Sequence, residues 1–298
     1  MELAFEGNGG THPRRSEDER RDTEKRQALR GARLPEMEPA NGGRRGAWFG
    51  SHGTVVSGVI ASAGSRGEGA ETNTMVRELV IADDDRILVR DTRQVPYRWT
   101  CRLDILAANG TRWNATGWFA APGLVVTAGH CVYLHNQGGW AVAVQVQPAR
   151  DGDDEPYTAS TVGLYSVTGW VQEKRSAYDY GAIVLSPDAE RDRIGHFGYA
   201  ALSDHELYQE LINVIGYPVD KPAGTMWGHT RRLSELTANE LIYRNDTFGG
   251  MSGAPVVKWD GNDFYVLGIH NYGDLAGNRA TRISPLVFQN ITSWASLA

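Results

Sequence analysis

Asn245-Asp246-Thr247-Phe248-Gly249-Gly250-Met251-Ser252-Gly253-Ala254-Pro255 sets one serine among three glycines and leads straight into the apolar Pro255-Val256-Val257. A serine hydroxyl is a poor nucleophile unless a base takes its proton and donors hold the oxyanion that forms. Glycines let consecutive backbone N–H groups converge on one point. If Ser252 is a nucleophile, the rest of the chain must supply a base, an orienting carboxylate and a pocket.

Taken alone, the stretch also fits a glycine-rich turn before a strand. It departs from the G-x-S-x-G elbow, because Ala254 fills the last position and a strand rather than a helix is expected to come next.

The chain has 298 residues, of which 41% are hydrophobic and 22% charged. That is ample for one large or two small cores. The net charge of −6 argues against a nucleic-acid partner. No apolar run approaches membrane-spanning length. Residues 1–78 carry 12 basic and 12 acidic side chains, so the net charge belongs to residues 79–298. The leader 1–78 reads as largely disordered. Within it, residues 44–63 combine Arg44 and Arg45, an apolar patch and Ala61-Ser62-Ala63, the layout of a weak signal segment if translation begins at Met37. A stray apolar piece of leader is the other reading.

From about Leu79 short β-rich runs recur between turn residues, and residues 140–148 alternate apolar and polar with period two. The expected architecture is all-β, a many-stranded sandwich or barrel. Ser284-Pro285 forms an N-cap and N1 pair that should open a helix over about 285–296.

His130, in Thr127-Ala128-Gly129-His130-Cys131, leaves an apolar strand and is the candidate base; a structural histidine is the alternative. Asp179 enters the apolar Tyr180-Gly181-Ala182-Ile183-Val184-Leu185. A carboxylate there is costly unless paired, and an imidazole N–H would compensate it. The order His130, Asp179, Ser252 is that of the chymotrypsin-type triad, a worked template of serine catalysis. The order Ser252, Asp263, His270 would crowd a hydrolase triad into too short a span. No H-E-x-x-H is present, and Asp151–Glu155 lacks the calcium-loop spacing, so no metal is expected.

Thr127–Cys131, Tyr178–Ser186, Val214–Gly224, Asp246–Val256, Gly268–His270 and Thr281–Ile283 together resemble the bacterial glutamyl endopeptidases, over the chain from about Val80 to its end. The resemblance implies a trypsin-like fold of two six-stranded antiparallel β-barrels, about 86–190 and 195–284, with the C-terminal helix, the whole spanning 79–298. It implies Ser252 as nucleophile, His130 as general base and acid, Asp179 as orienter, and Gly250 and Ser252 N–H groups as oxyanion hole. It implies an acidic side chain bound by Thr247, His270 and the mature N-terminal amine, on Leu79 or Val80. The implied protein is a secreted, monomeric endopeptidase that matures from a zymogen, needs no cofactor and acts on protein or peptide substrates. Met251 stands where digestive proteases carry their activation aspartate, so that switch cannot operate here. Cys131 fits one half of a disulfide found in family members, and a bond to Cys101 is expected if their two strands are neighbours. An inactive peptide-binding relative and a protease of other specificity remain as alternatives.

Overall fold

The computed structural model describes residues 47–48 and 79–298, apart from 158, 188–190 and 275. The readings of residues 1–78 lie outside the described residues, except that Ala47–Trp48 forms a two-residue strand, β1. The chain continues through β2 (Ile87–Leu88), β3 (Thr100–Leu106), β4 (Arg112–Ala121) and β5 (Leu124–Thr127). A one-turn helix α1 (Gly129–Val132) comes next, then β6 (Tyr133–Leu134), β7 (Gly139–Trp140), β8 (Ala143–Pro148), β9 (Thr161–Val167) and β10 (Gly181–Leu185). The second half holds β11 (Gly198–Tyr199), β12 (Leu211–Gly216), β13 (Trp227–Leu236), β14 (Glu240–Tyr243), β15 (Pro255–Asp260), β16 (Asp263–Asp274), β17 (Gly277–Arg282) and helix α2 (Pro285–Ala295).

The first half curls six antiparallel strands in the order β9-β10-β5-β4-β3-β8, with β1 at the edge of β9. Its outer strands meet where Val146 bridges Ala159 and the Thr161 hydroxyl donates to the Val144 carbonyl at 2.8 Å. The second half closes fully: β16-β15-β12-β13-β14-β17, with β17 returning to β16. Closure removes the unpaired edges that invite aggregation. β5 and β10 are continuous buried runs because both faces are covered. The alternating segment 140–148 breaks in two. Gly139–Trp140 pairs with β6, and only Ala143–Pro148 joins the barrel beside β3. Ile87–Leu88 pairs with Trp227 and Gly228 on β13, so it belongs to the second barrel and not, as expected, to the first.

Three apolar clusters fill the fold. One packs Leu103, Phe119, Val125 and Ile183 inside the first barrel, and another packs Val214, Leu241, Val256 and Leu267 inside the second. The third joins Trp118, Tyr180, Ile215, Val257, Ile269 and Trp294 across both. Helix α2 contributes Val287, Ile291 and Trp294, one face at i, i+4, i+7. Ser284 caps it, its hydroxyl accepting from the Val287 N–H at 3.4 Å, with Pro285 at N1. Among the described residues, no helix is long and apolar enough to cross a membrane.

Candidate active site

His130 sits in α1, directly after the buried strand β5. Asp179 precedes β10, which pairs with β5 so that Gly181 faces Thr127. The register brings the two side chains together. His130 Nδ1 and Asp179 Oδ2 lie 2.8 Å apart, and the His130 backbone N–H donates to Asp179 Oδ1 at 2.8 Å. Asp179 is buried and His130 is partly open to solvent. Gly129 is required here: a Cβ on it would stand 2.9 Å from Asp179 Oδ1 and 2.8 Å from the Trp170 ring. Burial alone would lower the His130 pKa. The Asp179 charge, with Cys131 adding to it, outweighs burial and raises the value well above that of an ordinary histidine.

The Ser252 turn packs against the same strand end. Gly253 has φ +86°, and a Cβ there would lie 2.1 Å from Thr127 Oγ1 and 2.2 Å from the Thr116 carbonyl. The Thr116 N–H donates to the Ser252 carbonyl at 2.9 Å, tying the turn to β4 of the first barrel. Ser252 Oγ lies 3.4 Å from the Asn271 carbonyl. Asn271 Nδ2 donates to Thr281 Oγ1 at 2.7 Å, and the Thr281 hydroxyl reaches the Asp179 carbonyl at 3.4 Å. A chain of polar contacts thus runs from the Asp179 backbone to the serine turn. Asn271 has no local motif that marks it for this role, and Thr281 stands out in the sequence only as part of the Thr281–Ile283 stretch.

Gly250 has φ +97°, and a Cβ there would press 2.5 Å from the Tyr217 carbonyl, so only glycine fits. Met251 is fully buried in the second barrel's core. An aspartate there would be an unpaired charge in an apolar cluster.

Of the expected specificity residues, His270 contacts the serine turn directly, and Thr247 and Leu79 contact each other. His270 lies on β16, fully buried, and its carbonyl accepts from the Gly253 N–H at 2.6 Å. Its Nδ1 meets the Tyr243 hydroxyl at 2.6 Å. Burial lowers the His270 pKa to about 3, with a backbone hydrogen bond to Arg279 opposing and the His130 charge adding, so the ring is neutral near pH 7. Thr247 is also fully buried, and its Oγ1 has no hydrogen-bond partner among the described residues. An orphaned buried hydroxyl needs an explanation, and a site for a polar ligand supplies one. The Thr247 N–H donates to the Leu79 carbonyl at 3.1 Å, while Asn278 accepts from the Leu79 N–H at 3.0 Å and donates back to the Leu79 carbonyl at 2.7 Å. Leu79 is therefore held beside Thr247. Val80 is half-buried, with no side-chain role evident.

The expected disulfide is absent. Cys101 and Cys131 are both free, buried thiols. Cys101 is on β3, facing Gly117 of β4 and Pro148 of β8. Strand β4 stands between β3 and β5, whose end leads to Cys131. Cys131 instead turns its sulfur toward the Ser252 carbonyl at 3.8 Å. Burial pushes the Cys101 thiol well up, which keeps it an inert apolar side chain.

Two linked β-barrels with a histidine–aspartate pair and a glycine-bound serine turn between them define a chymotrypsin-fold serine peptidase. The trypsin-like peptidase domain family matches residues 115–269, and the chain belongs to that family. A glutamyl endopeptidase of Bacillus licheniformis is 36% identical over 228 residues, which cover 74% of this chain and 70% of that one. A protein of Bacillus subtilis named extracellular metalloprotease is 36% identical over 226 residues, covering 75% and 72%. A solved structure of a Glu endopeptidase superposes with a TM-score of 0.65 at 25% identity, over 74% of this chain and all of that one. The chain is a serine endopeptidase of this glutamyl endopeptidase-like kind.

Proposed function

We propose that this protein hydrolyses peptide bonds after glutamate, and less readily after aspartate, through a His130–Asp179–Ser252 triad. His130 takes the proton from the Ser252 hydroxyl as it attacks the scissile carbonyl, and Asp179 holds the ring and stabilises the imidazolium. The N–H groups of Gly250 and Ser252 hold the oxyanion. The leaving amine takes the proton from His130. Water activated by the same ring then hydrolyses the acyl-enzyme.

The observations that support the specificity are two fully buried polar groups on segments tied to the serine turn: neutral His270, and the Thr247 hydroxyl, which has no hydrogen-bond partner among the described residues. They can donate to a glutamate carboxylate without a permanently buried charge, and the α-amine of Leu79 would add the cation. A carboxylate also stands next to Thr247, and Asp246 could suggest a pocket for Arg or Lys. Both its oxygens are already engaged by the Ile81 and Asp85 N–H groups, at 2.8 and 2.9 Å. Asp85, His229 and Asp246 lie together, but the Asp246 oxygens take those N–H groups and His229 Nδ1 takes the Asp246 N–H. The extracellular name of the B. subtilis relative supports secretion, and we take the active form to be a monomer.

Cleavage of a mixed peptide library by the form beginning at residue 79 tests the proposal. Cuts after Glu by the parent, with turnover lowered roughly a million-fold in Ser252→Ala, are expected. A preference for Arg, Lys or Phe refutes the pocket. Activity of Ser252→Ala within tenfold of the parent refutes the nucleophile.

A further inference from the structure

Residues 79–86 run along the second barrel and touch the serine turn's support at two separate places. The first is Asp246, wholly buried and four residues before Gly250. Its Oδ1 accepts from the Ile81 N–H at 2.8 Å and its Oδ2 from the Asp85 N–H at 2.9 Å. His229 backs it, with Nδ1 3.1 Å from Oδ2 and accepting the Asp246 N–H at 2.8 Å. A carboxylate taking two backbone N–H bonds fixes the segment and is fixed by it.

The second place is Arg86, whose side chain is fully buried. It pairs with Asp84 at 2.8 Å and, bidentately, with Asp220 at 3.0 and 2.5 Å. Removing the guanidinium would take two hydrogen bonds from Asp220 and leave Asp84 with Lys221. Asp220 belongs to the loop that cradles the turn. The N–H of the preceding Val219 donates to the Gly249 carbonyl at 2.8 Å, and the Tyr217 carbonyl abuts Gly250. The peptide unit that presents the Gly250 N–H is thus braced from one side by Asp246, through the chain itself, and from the other by Arg86, through Asp220 and Val219.

We propose that Asp246 and Arg86 are positioning residues for the oxyanion hole, and that docking of residues 79–86 sets its geometry. This rests on the reading that Gly250 and Ser252 hold the oxyanion. In this fold the role of a charged switch at Met251 passes to Asp246 and Arg86, which act from outside the turn. The segment therefore serves two ends, one at the pocket through Leu79 and one at the oxyanion hole.

The test compares the parent with Asp246→Asn, Asp246→Ala, Arg86→Ala and Arg86→Lys. Each is made as the full chain and processed by tagged parent enzyme, which is then removed. The probe is diisopropyl fluorophosphate, which phosphorylates Ser252 with loss of fluoride and carries no acidic side chain, so its rate constant reads the nucleophile and oxyanion hole and not the specificity pocket. A misplaced donor weakens transition-state stabilisation, so the labelling rate constant should fall about ten- to a hundred-fold in Asp246→Ala and Arg86→Ala. On a Glu peptide, kcat should fall likewise, with KM within about threefold, because a transition-state interaction is lost. Arg86→Lys should recover part of the rate. The conservative Asp246→Asn serves if Asp246→Ala does not fold. Unchanged labelling rate constants in folded Asp246→Asn and Arg86→Ala overturn the inference, as does a loss confined to KM. A parent that is labelled at Ser252 yet does not prefer Glu would sink the specificity reading and leave this one standing.

Discussion

The Tyr243 hydroxyl meets His270 Nδ1 at 2.6 Å, with both side chains fully buried. A neutral imidazole has one donor and one acceptor nitrogen. A phenol that donates to Nδ1 would place the ring proton on Nε2, the tautomer that can donate to a carboxylate. Tyr243→Phe should therefore lower kcat/KM for a Glu peptide about tenfold, near the upper range for a lost hydrogen bond. His270→Ala should lower it roughly ten- to a hundred-fold. The measurement is the ratio of kcat/KM for matched Glu and Gln peptides. A Tyr243→Phe ratio equal to the parent's would show that the tyrosine does not set the tautomer.

Activity should fall on the acid side as His130 takes up its proton. Because Asp179 raises the His130 pKa, the acid limb of kcat/KM should have its midpoint above the ordinary 6.5. Asp179→Asn removes the main raising influence, so the midpoint should move to lower pH while the plateau drops by several orders of magnitude. His270 acts on stability. Its folded value of about 3 lies below 6.5, so between these values the unfolded chain binds more protons and stability declines as the pH falls. A pH profile with a midpoint below 6 in the parent would contradict the His130–Asp179 coupling.

Thiol titration of the protein in denaturant, without reductant, should find two free groups per chain. Removing a native disulfide from a small domain typically costs about 2–5 kcal/mol, so a reductant that left Tm unchanged would agree with the free thiols. A titration that finds none would restore the Cys101–Cys131 bond.

Maturation should leave Leu79 at or within a residue or two of the N-terminus. Glu78 supplies the side chain this enzyme is proposed to recognise, and Asn278 and Thr247 grip Leu79 on the far side of that bond. Cleavage would turn the Leu79 N–H into an amine with a pKa near 8, largely cationic at neutral pH. N-terminal sequencing of the active form decides the matter. An active enzyme that retains residues 60–78, or one that starts beyond Asp85, would refute this account, and the full-length chain should be nearly inactive.

The sequence by itself determined those parts whose partners are near neighbours or whose pattern is periodic. His130, Asp179 and Ser252 each stand at the end of a buried strand or in a glycine turn, where local texture is enough to single them out. Ser284-Pro285 marked the start of helix α2. Strands such as β13, with polar residues over much of its length, and β9, with a glycine inside it, lack that texture. Only the tertiary structure decided which distant groups meet. Asp246 holds residues 165 and 161 positions away, and Asn278 grips a backbone 199 positions away. Ile87–Leu88 joined the second barrel, and β4 came between the strands associated with the two cysteines. Such contacts arise from strand order and register, which closing the barrels sets for the whole chain at once; a hydrogen bond between residues far apart in sequence leaves no period in either segment to betray it.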